Sequence, residues 1–195
     1  MKPWRTLKSW ITYSDPWLTV RSHRLERANG AIVDPFHIIE SPEWVCVCAL
    51  TDAGDVVTIR EYRHGAETIT LGLPGGVCEP DDEDFAAAAR RELEEETGFI
   101  VREMIPVGRA HANWANQNNQ ISYFLGLGAA PHGVRNLDPN EEIEPVLMPF
   151  AEFSAYDFDG PKQTHHAAAL FYVLRFLQRH PGLGLQVHKL EDTTP

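Results

Sequence analysis

The chain has 195 residues, a formal net charge of −11, 43% hydrophobic residues and 23% charged ones. That length suits one domain, or one domain with a small appendage, and the composition is that of a soluble globular protein. The acidic balance speaks against the basic face by which nucleic acid is held, and three cysteines without C-x-x-C spacing give neither a disulfide framework nor a zinc pattern.

The first 17 residues hold no continuous apolar run, so no signal peptide is expected, and no stretch reaches membrane-spanning length. A reducing cytoplasm is the expected location. Residues 17–27 read as a strand, Asn29-Gly30 as a hairpin turn and 31–39 as the return strand. Residues 44–50 form a compact apolar run, with Cys46 and Cys48 two apart and therefore on one face. A turn over 51–54 leads to a strand over 56–62, which suggests a second hairpin. A short strand over 68–73 runs into Pro74-Gly75-Gly76. A helix is predicted over 85–97, capped by Asp82 or Asp84 and stopped by Gly98. β character resumes over 100–109 and 120–127, 132–144 is a polar loop, and 145–153 is strand-like. A second amphipathic helix covers 164–180, with Phe171, Leu174 and Leu177 as its core stripe and Pro181-Gly182 as its stop. Scattered strands with two separated helices predict an α+β fold, divided into an N-terminal β segment, 1–42, and a main domain, 43–195.

The chemistry concentrates in LPGGVCEPDDEDFAAAARRELEEETGF, residues 73–99. Glu92, Glu95 and Glu96 stand at i, i+3 and i+4, so they project from one face of the predicted helix. They crowd its C-terminal end, where the macrodipole disfavours anions by about 0.3–1 kcal/mol each. A helix built for stability alone would carry lysines there, and such a local violation marks a functional site. A divalent cation resolves it: clustered carboxylates without His or Cys partners suit Mg²⁺ or Mn²⁺ and not Zn²⁺. An acidic run is ordinarily a solvated face, and what sets this one apart is the segment around it.

That segment resembles the Nudix box, G-x5-E-x7-R-E-U-x-E-E-x-G-U with U a bulky apolar residue. Arg91, Glu92, Leu93, Glu95, Glu96, Gly98 and Phe99 match its second half. The first half is one residue long: either the loop carries an insertion and Glu83 is the first acidic residue, or Asp82 takes that place. The resemblance implies a Nudix-type α/β/α sandwich with a mixed sheet, in which the box is a loop–helix–loop. It implies that Glu92, Glu95 and Glu96 hold metal, that a backbone carbonyl at Gly75 adds a ligand, and that Arg91 orients the box carboxylates by pairing with Glu83 or Asp82. The early segment SDPWLTVRSHRLERANG and the run VVTIREYRHGAETITLGLPGG resemble the branch acting on ADP-ribose and other nucleoside diphosphate sugars. In that branch N-terminal strands pack across a homodimer. Two positions depart from its pattern: Gly72 stands where glutamate is common, and Trp114 replaces a proline in NWANQNN.

The reaction so implied is metal-dependent attack of water on a diphosphate. Its base, by the same resemblance, is a glutamate on a loop after the box; Glu142 is the first choice and Glu141 the second. Arg60 and Arg63 are candidate phosphate ligands, although each has an acidic neighbour to pair with. Trp114 is a candidate base-stacking residue and Asn118 a candidate partner for ribose or phosphate oxygens. The expected partners are a small nucleotide substrate and a second copy of the chain, with no nucleic acid and no membrane. Two alternatives stay open: another nucleotide substrate (a nucleoside triphosphate, a dinucleoside polyphosphate or coenzyme A), or a nucleotide sensor that does not hydrolyse its ligand.

Overall fold

The computed structural model describes residues 1–16, 18–132, 135–137, 141–155 and 160–183. Trp17, at the start of the strand expected over 17–27, lies outside them, as does part of the loop expected over 132–144. The chain divides into two compact units, Met1–Glu43 with Ala110–Gln120, and Trp44–Arg109 with Ile121–Pro195.

The first unit is an antiparallel sheet of β1 (Arg5–Ser14), β2 (Thr19–Glu26) and β3 (Ile32–Glu40), in that order. The Asn29-Gly30 turn joins β2 to β3, with Arg27 N–H donating to Ala31 at 2.8 Å. β1 escaped the sequence reading because all its residues but Trp10 are exposed, so it shows no buried–exposed alternation. The NWANQNN loop belongs to this unit. It is tied to the end of β3 by Ile39 N–H donating to Asn116 at 2.8 Å and by Ser41 N–H donating to the Asn118 side chain at 3.1 Å.

The second unit carries the main sheet. Its strands are β4 (Trp44–Leu50), β5 (Asp55–Arg63), β6 (Thr68–Gly72), β8 (Glu103–His111), β9 (Gln120–Leu127) and β11 (Ile143–Pro149). A separate two-residue pairing joins β7 (Phe99–Ile100) to β10 (Ala130–Pro131). The order is β11-β5-β4-β9-β8, with β6 also on β5. β4 and β9 run parallel, whereas β5 pairs β11, β4 and β6 antiparallel. The mixed sheet and its helices are the fold expected.

β4 pairs β5 only through Ala49 and Leu50. Closer to its start, the same strand is met by the Pro74-Gly75-Gly76 turn: Val47 N–H donates to Pro74 and Val45 N–H to Gly76, both at 2.9 Å, and Trp44 bridges to Val77. Every residue from Val45 to Leu50 is buried, which explains the unbroken apolar run. Val45, Val47 and Ala49 face a core that includes Ala88, Ala89 and Leu93 of α1 (Phe85–Thr97). Cys46, Cys48 and Leu50 point to the opposite face, and α3 (Thr164–Arg179) packs on the same strand. No helix among the described residues is long and apolar enough to cross a membrane.

Two local expectations need correction. The strand expected to reach 153 ends at Pro149, and α2 (Phe150–Ala155) follows. Phe150 and Phe153, spaced i, i+3, are both buried on that short helix. In α3 the buried face is His166, Ala169, Leu170, Val173 and Leu177, whereas Phe171 is 56% exposed. Of the stripe read in the sequence, Leu177 is buried and Leu174 half-buried, and Phe171 alone faces outward.

Candidate active site

α1 begins where Asp84 accepts the Ala87 N–H at 2.8 Å and ends at Gly98, in the left-handed conformation with its N–H on Glu94. Asp84 is therefore the cap, and Asp82 is left for another task. Its carboxylate takes Arg91 Nε at 3.1 Å and Nη2 at 3.0 Å, and also accepts the Glu79 N–H at 2.8 Å. Asp82, not Glu83, is the acidic partner of Arg91. Counted to Asp82, the spacing after Gly76 is the regular five residues, so the extra residue lies between Asp82 and Arg91. The Arg91 guanidinium holds Asp82's carboxyl below the usual carboxylate range.

Arg91 links loop to helix. Its Nη2 also donates to the Val77 carbonyl at 2.9 Å, and its Nη1 to Glu92 and Glu95 at 2.9 and 3.0 Å. Asp82's hydrogen bonds, above all, raise the Arg91 pKa, so the guanidinium is permanently charged.

Glu96 is 3% exposed, and one carboxylate oxygen accepts the Gly75 N–H at 2.9 Å. Gly75 has φ 152°, and a β-carbon there would lie 2.2 Å from the Val45 carbonyl oxygen. Only glycine brings the turn this close to β4 while aiming its N–H at Glu96. Burial pushes Glu96 up to about 9, against the Gly75 hydrogen bond, with Glu92, Glu61 and Glu141 adding repulsion. Burial likewise pushes Glu92 up to about 7, against the pull of Arg91.

These groups line a cavity of about 270 Å³ whose walls include Arg63, Gly75, Arg91, Glu92, Glu95, Glu96, Asn136 and Glu141. Asn136 is anchored there by its N–H on the Glu95 carbonyl at 3.1 Å. Both loop glutamates are exposed, and of the two Glu141 lines the cavity and Glu142 does not. Arg60 does not line it either and pairs with Glu144 at 3.0 Å across the β5–β11 ladder. Arg63 does line it, while its Nη2 meets Glu61 at 2.6 Å. Trp114, 86% exposed, and Asn118 belong to the first unit.

Glu61 is the acidic residue whose place in the site went unread. It ends the inner part of β5 opposite Ile143, which sets it near Glu141. Its side chain is 13% exposed, and burial raises its pKa. The strand pattern shows a glutamate at a half-buried position, but not its neighbours across the sheet.

The donor set fits Mg²⁺ or Mn²⁺: hard carboxylate oxygens of Glu92, Glu95 and Glu96, without nitrogen or sulfur. A cation would offset the burial, and the smaller mutual repulsion, that push Glu92 and Glu96 up. Glu92 and Glu95 are turned onto Arg91, and among the described residues no three His, Cys, Asp or Glu side chains form a metal cage. Mg²⁺ needs none, because waters and substrate phosphates complete its shell.

Comparison with known proteins gives the arrangement its family. The NUDIX domain model matches residues 41–170, and the nucleoside diphosphate sugar hydrolase N-terminal domain model matches residues 4–39. The chain is 28% identical over 150 residues to the ADP-ribose pyrophosphatase of Bacillus subtilis (strain 168), covering 76% of this chain and 79% of that one. It is 25% identical over 163 residues to the ADP compounds hydrolase NudE of Escherichia coli (strain K12), covering 82% and 86%. A crystal structure of an ADP compounds hydrolase shares the fold, with TM-score 0.82 at 23% identity over 92% of this chain and 97% of that one. The helix carrying Glu92, Glu95 and Glu96, the loop that Arg91 ties to it and the family match over most of the chain agree: this protein is a Nudix hydrolase, with a nucleoside diphosphate sugar hydrolase N-terminal domain ahead of its catalytic fold.

Proposed function

We propose that the protein hydrolyses the diphosphate linkage of a nucleoside diphosphate sugar such as ADP-ribose, giving AMP and a sugar phosphate. The observation that carries this reading is the convergence of Glu92, Glu95, Glu96, Glu141, Arg63 and Arg91 on one cavity. The relatives named for ADP-ribose and ADP compounds support the substrate class.

Glu92, Glu95 and Glu96 would hold the divalent cation, with the Gly75 carbonyl as a further candidate ligand. Mg²⁺ or Mn²⁺ supplies charge neutralisation for the phosphate oxygens and a lowered pKa for the attacking water. Arg91 fixes the Glu92 and Glu95 carboxylates, so their geometry is set before substrate arrives. Arg63 binds a phosphate oxygen through the guanidinium edge not used by Glu61. Glu141 takes the proton as the water oxygen bonds to phosphorus, and the bridging oxygen leaves with the electrons of the broken P–O bond. The protein works as a homodimer through its N-terminal sheet, where Leu7, Ile11 and Tyr13 of β1 are 42%, 54% and 52% exposed.

The test is phosphate release, coupled to a phosphatase, from ADP-ribose, ADP-glucose, GDP-mannose, NADH, coenzyme A, diadenosine polyphosphates and nucleoside triphosphates, with and without Mg²⁺. Metal-dependent release from the sugar derivatives is expected. Release only from triphosphates or coenzyme A would move the substrate class, and tight binding with no release would make the protein a sensor.

A further inference from the structure

The cavities of the second unit are of two chemical kinds. The one holding Glu92, Glu95 and Glu96 is acidic. A second, of about 320 Å³, has Arg63, Thr70, Leu71, Lys162, Gln163 and His166 in its walls and no carboxylate among the described residues that line it. Arg63 belongs to both. A narrow cleft of about 70 Å³ beside Trp44 and His165 also has Arg63 in its wall, and shares His166 with the larger cavity. The ion pair with Glu61 at 2.6 Å holds Arg63 at this junction.

His166 is the telling residue. It is 8% exposed, and its Nε2 accepts the Leu73 N–H at 3.4 Å, which places the ring proton on Nδ1. That Nδ1–H has no hydrogen-bond acceptor among the described residues. The ring is fixed: it packs edge to face on His165, with centroids 4.5 Å apart, and lies so close over Gly72 that a β-carbon there would sit 2.3 Å from Cε1. Burial, with Arg63 and His165 nearby, keeps the imidazole neutral, so it offers a donor without a charge. Arg63, which keeps its ion pair with Glu61, and Lys162, whose Nζ donates to the Gly160 carbonyl at 3.3 Å, stand in the same wall, and ligand oxygens would complete the open donor between them. The volume, at the lower end of the roughly 300–1,000 Å³ usual for ligand sites, and the apolar wall at Leu71 leave room for the sugar that carries them.

We propose that this cavity is a phosphomonoester subsite: the half of the substrate that runs past Arg63 carries a phosphate additional to the diphosphate, held by Arg63, Lys162 and the Nδ1–H of His166. The inference rests on the hydrolase reading for its substrate and narrows that substrate to diphosphate derivatives bearing a further phosphate.

The test is calorimetric titration of ribose 5-phosphate into the full chain without divalent metal, using wild type, Lys162→Gln and Glu96→Gln. Wild type and Glu96→Gln bind alike, and Lys162→Gln weakens binding about tenfold, the effect of one lost charge-assisted contact. No metal-free binding, or binding unchanged in Lys162→Gln, would overturn the subsite. Diphosphate hydrolysis in Mg²⁺ scores the other reading separately. Hydrolysis without Lys162-dependent binding removes the subsite alone. Lys162-dependent binding without hydrolysis of any diphosphate keeps the subsite and removes the hydrolase reading.

Discussion

Asp82 grips Arg91 at two points, 3.1 and 3.0 Å, from the loop ahead of the helix. Neighbouring Glu83 holds no such place, although the plain spacing of the box favours it equally. Asp82→Ala therefore leaves a partly buried guanidinium short of a partner, which costs about 1–3 kcal/mol. A lower melting temperature and a lower kcat are expected from Asp82→Ala, with both unchanged in Glu83→Ala. Equal effects from the two variants would reassign the pairing.

Glu96 is an ionisable group in a dry place, 3% exposed and pushed up to about 9. Glutamine keeps an oxygen for the Gly75 N–H and removes the charge. Glu96→Gln should lose about a hundredfold or more in turnover, as a metal-site change does, while the metal-free protein melts at or above the wild-type temperature. A fully active Glu96→Gln enzyme would sink the metal assignment.

The loop glutamates can be separated kinetically. Glu141 faces the carboxylate cavity and Glu142 does not. Loss of a general base costs about 10²–10⁴-fold in rate, so Glu141→Gln should fall by that factor in kcat and Glu142→Gln by less than about twofold. The reverse ranking in steady-state assays would restore Glu142 as the base.

His166 and His165 make acid stability measurable. Burial holds them down to about 3 and about 4, against an ordinary value near 6.5. Below about 6.5 the unfolded chain takes up protons that the folded chain refuses. Their contribution is therefore complete above that pH and is lost as pH falls toward 4, by about 1.4 kcal/mol per pH unit for each proton. Chemical denaturation between pH 7 and 4.5 should show wild type losing stability more steeply than His166→Gln. Parallel profiles would mean that the imidazole is protonated in the fold.

Deleting the residues before Asn29 removes β1 and β2. If the exposed apolar side chains of β1 seat a second copy, sedimentation should find a monomer, and activity should be lost with the dimer. An active monomeric truncation would rule out the dimer as a requirement.

The box helix was legible from Phe85 to Thr97 because three signals coincide there: an aspartate cap, a run of strong helix formers and a glycine stop. β4 was legible because burial on both faces leaves only apolar residues. β1 was not, since a strand exposed along almost its whole length carries no hydrophobic period. What a single sequence withholds is pairing across distance. The register that sets Ile143 against Glu61 brings the end of β5 close to Glu141, and no local pattern records it. The same holds for His166 over Gly72, residues 94 positions apart, where a helix residue explains the missing side chain on a strand.

The turn at Pro74-Gly76 has a second duty beyond aiming an N–H at Glu96. By accepting the N–H groups of Val45 and Val47 it covers the length of β4 that β5 leaves bare. An uncovered stretch of buried residues from Val45 to Cys48 would be a template for association with other chains. The loop that shapes the chemistry thus also keeps the sheet from recruiting foreign strands. Substitutions that loosen it would cost solubility along with catalysis, so the sequence of this turn answers to aggregation as much as to substrate.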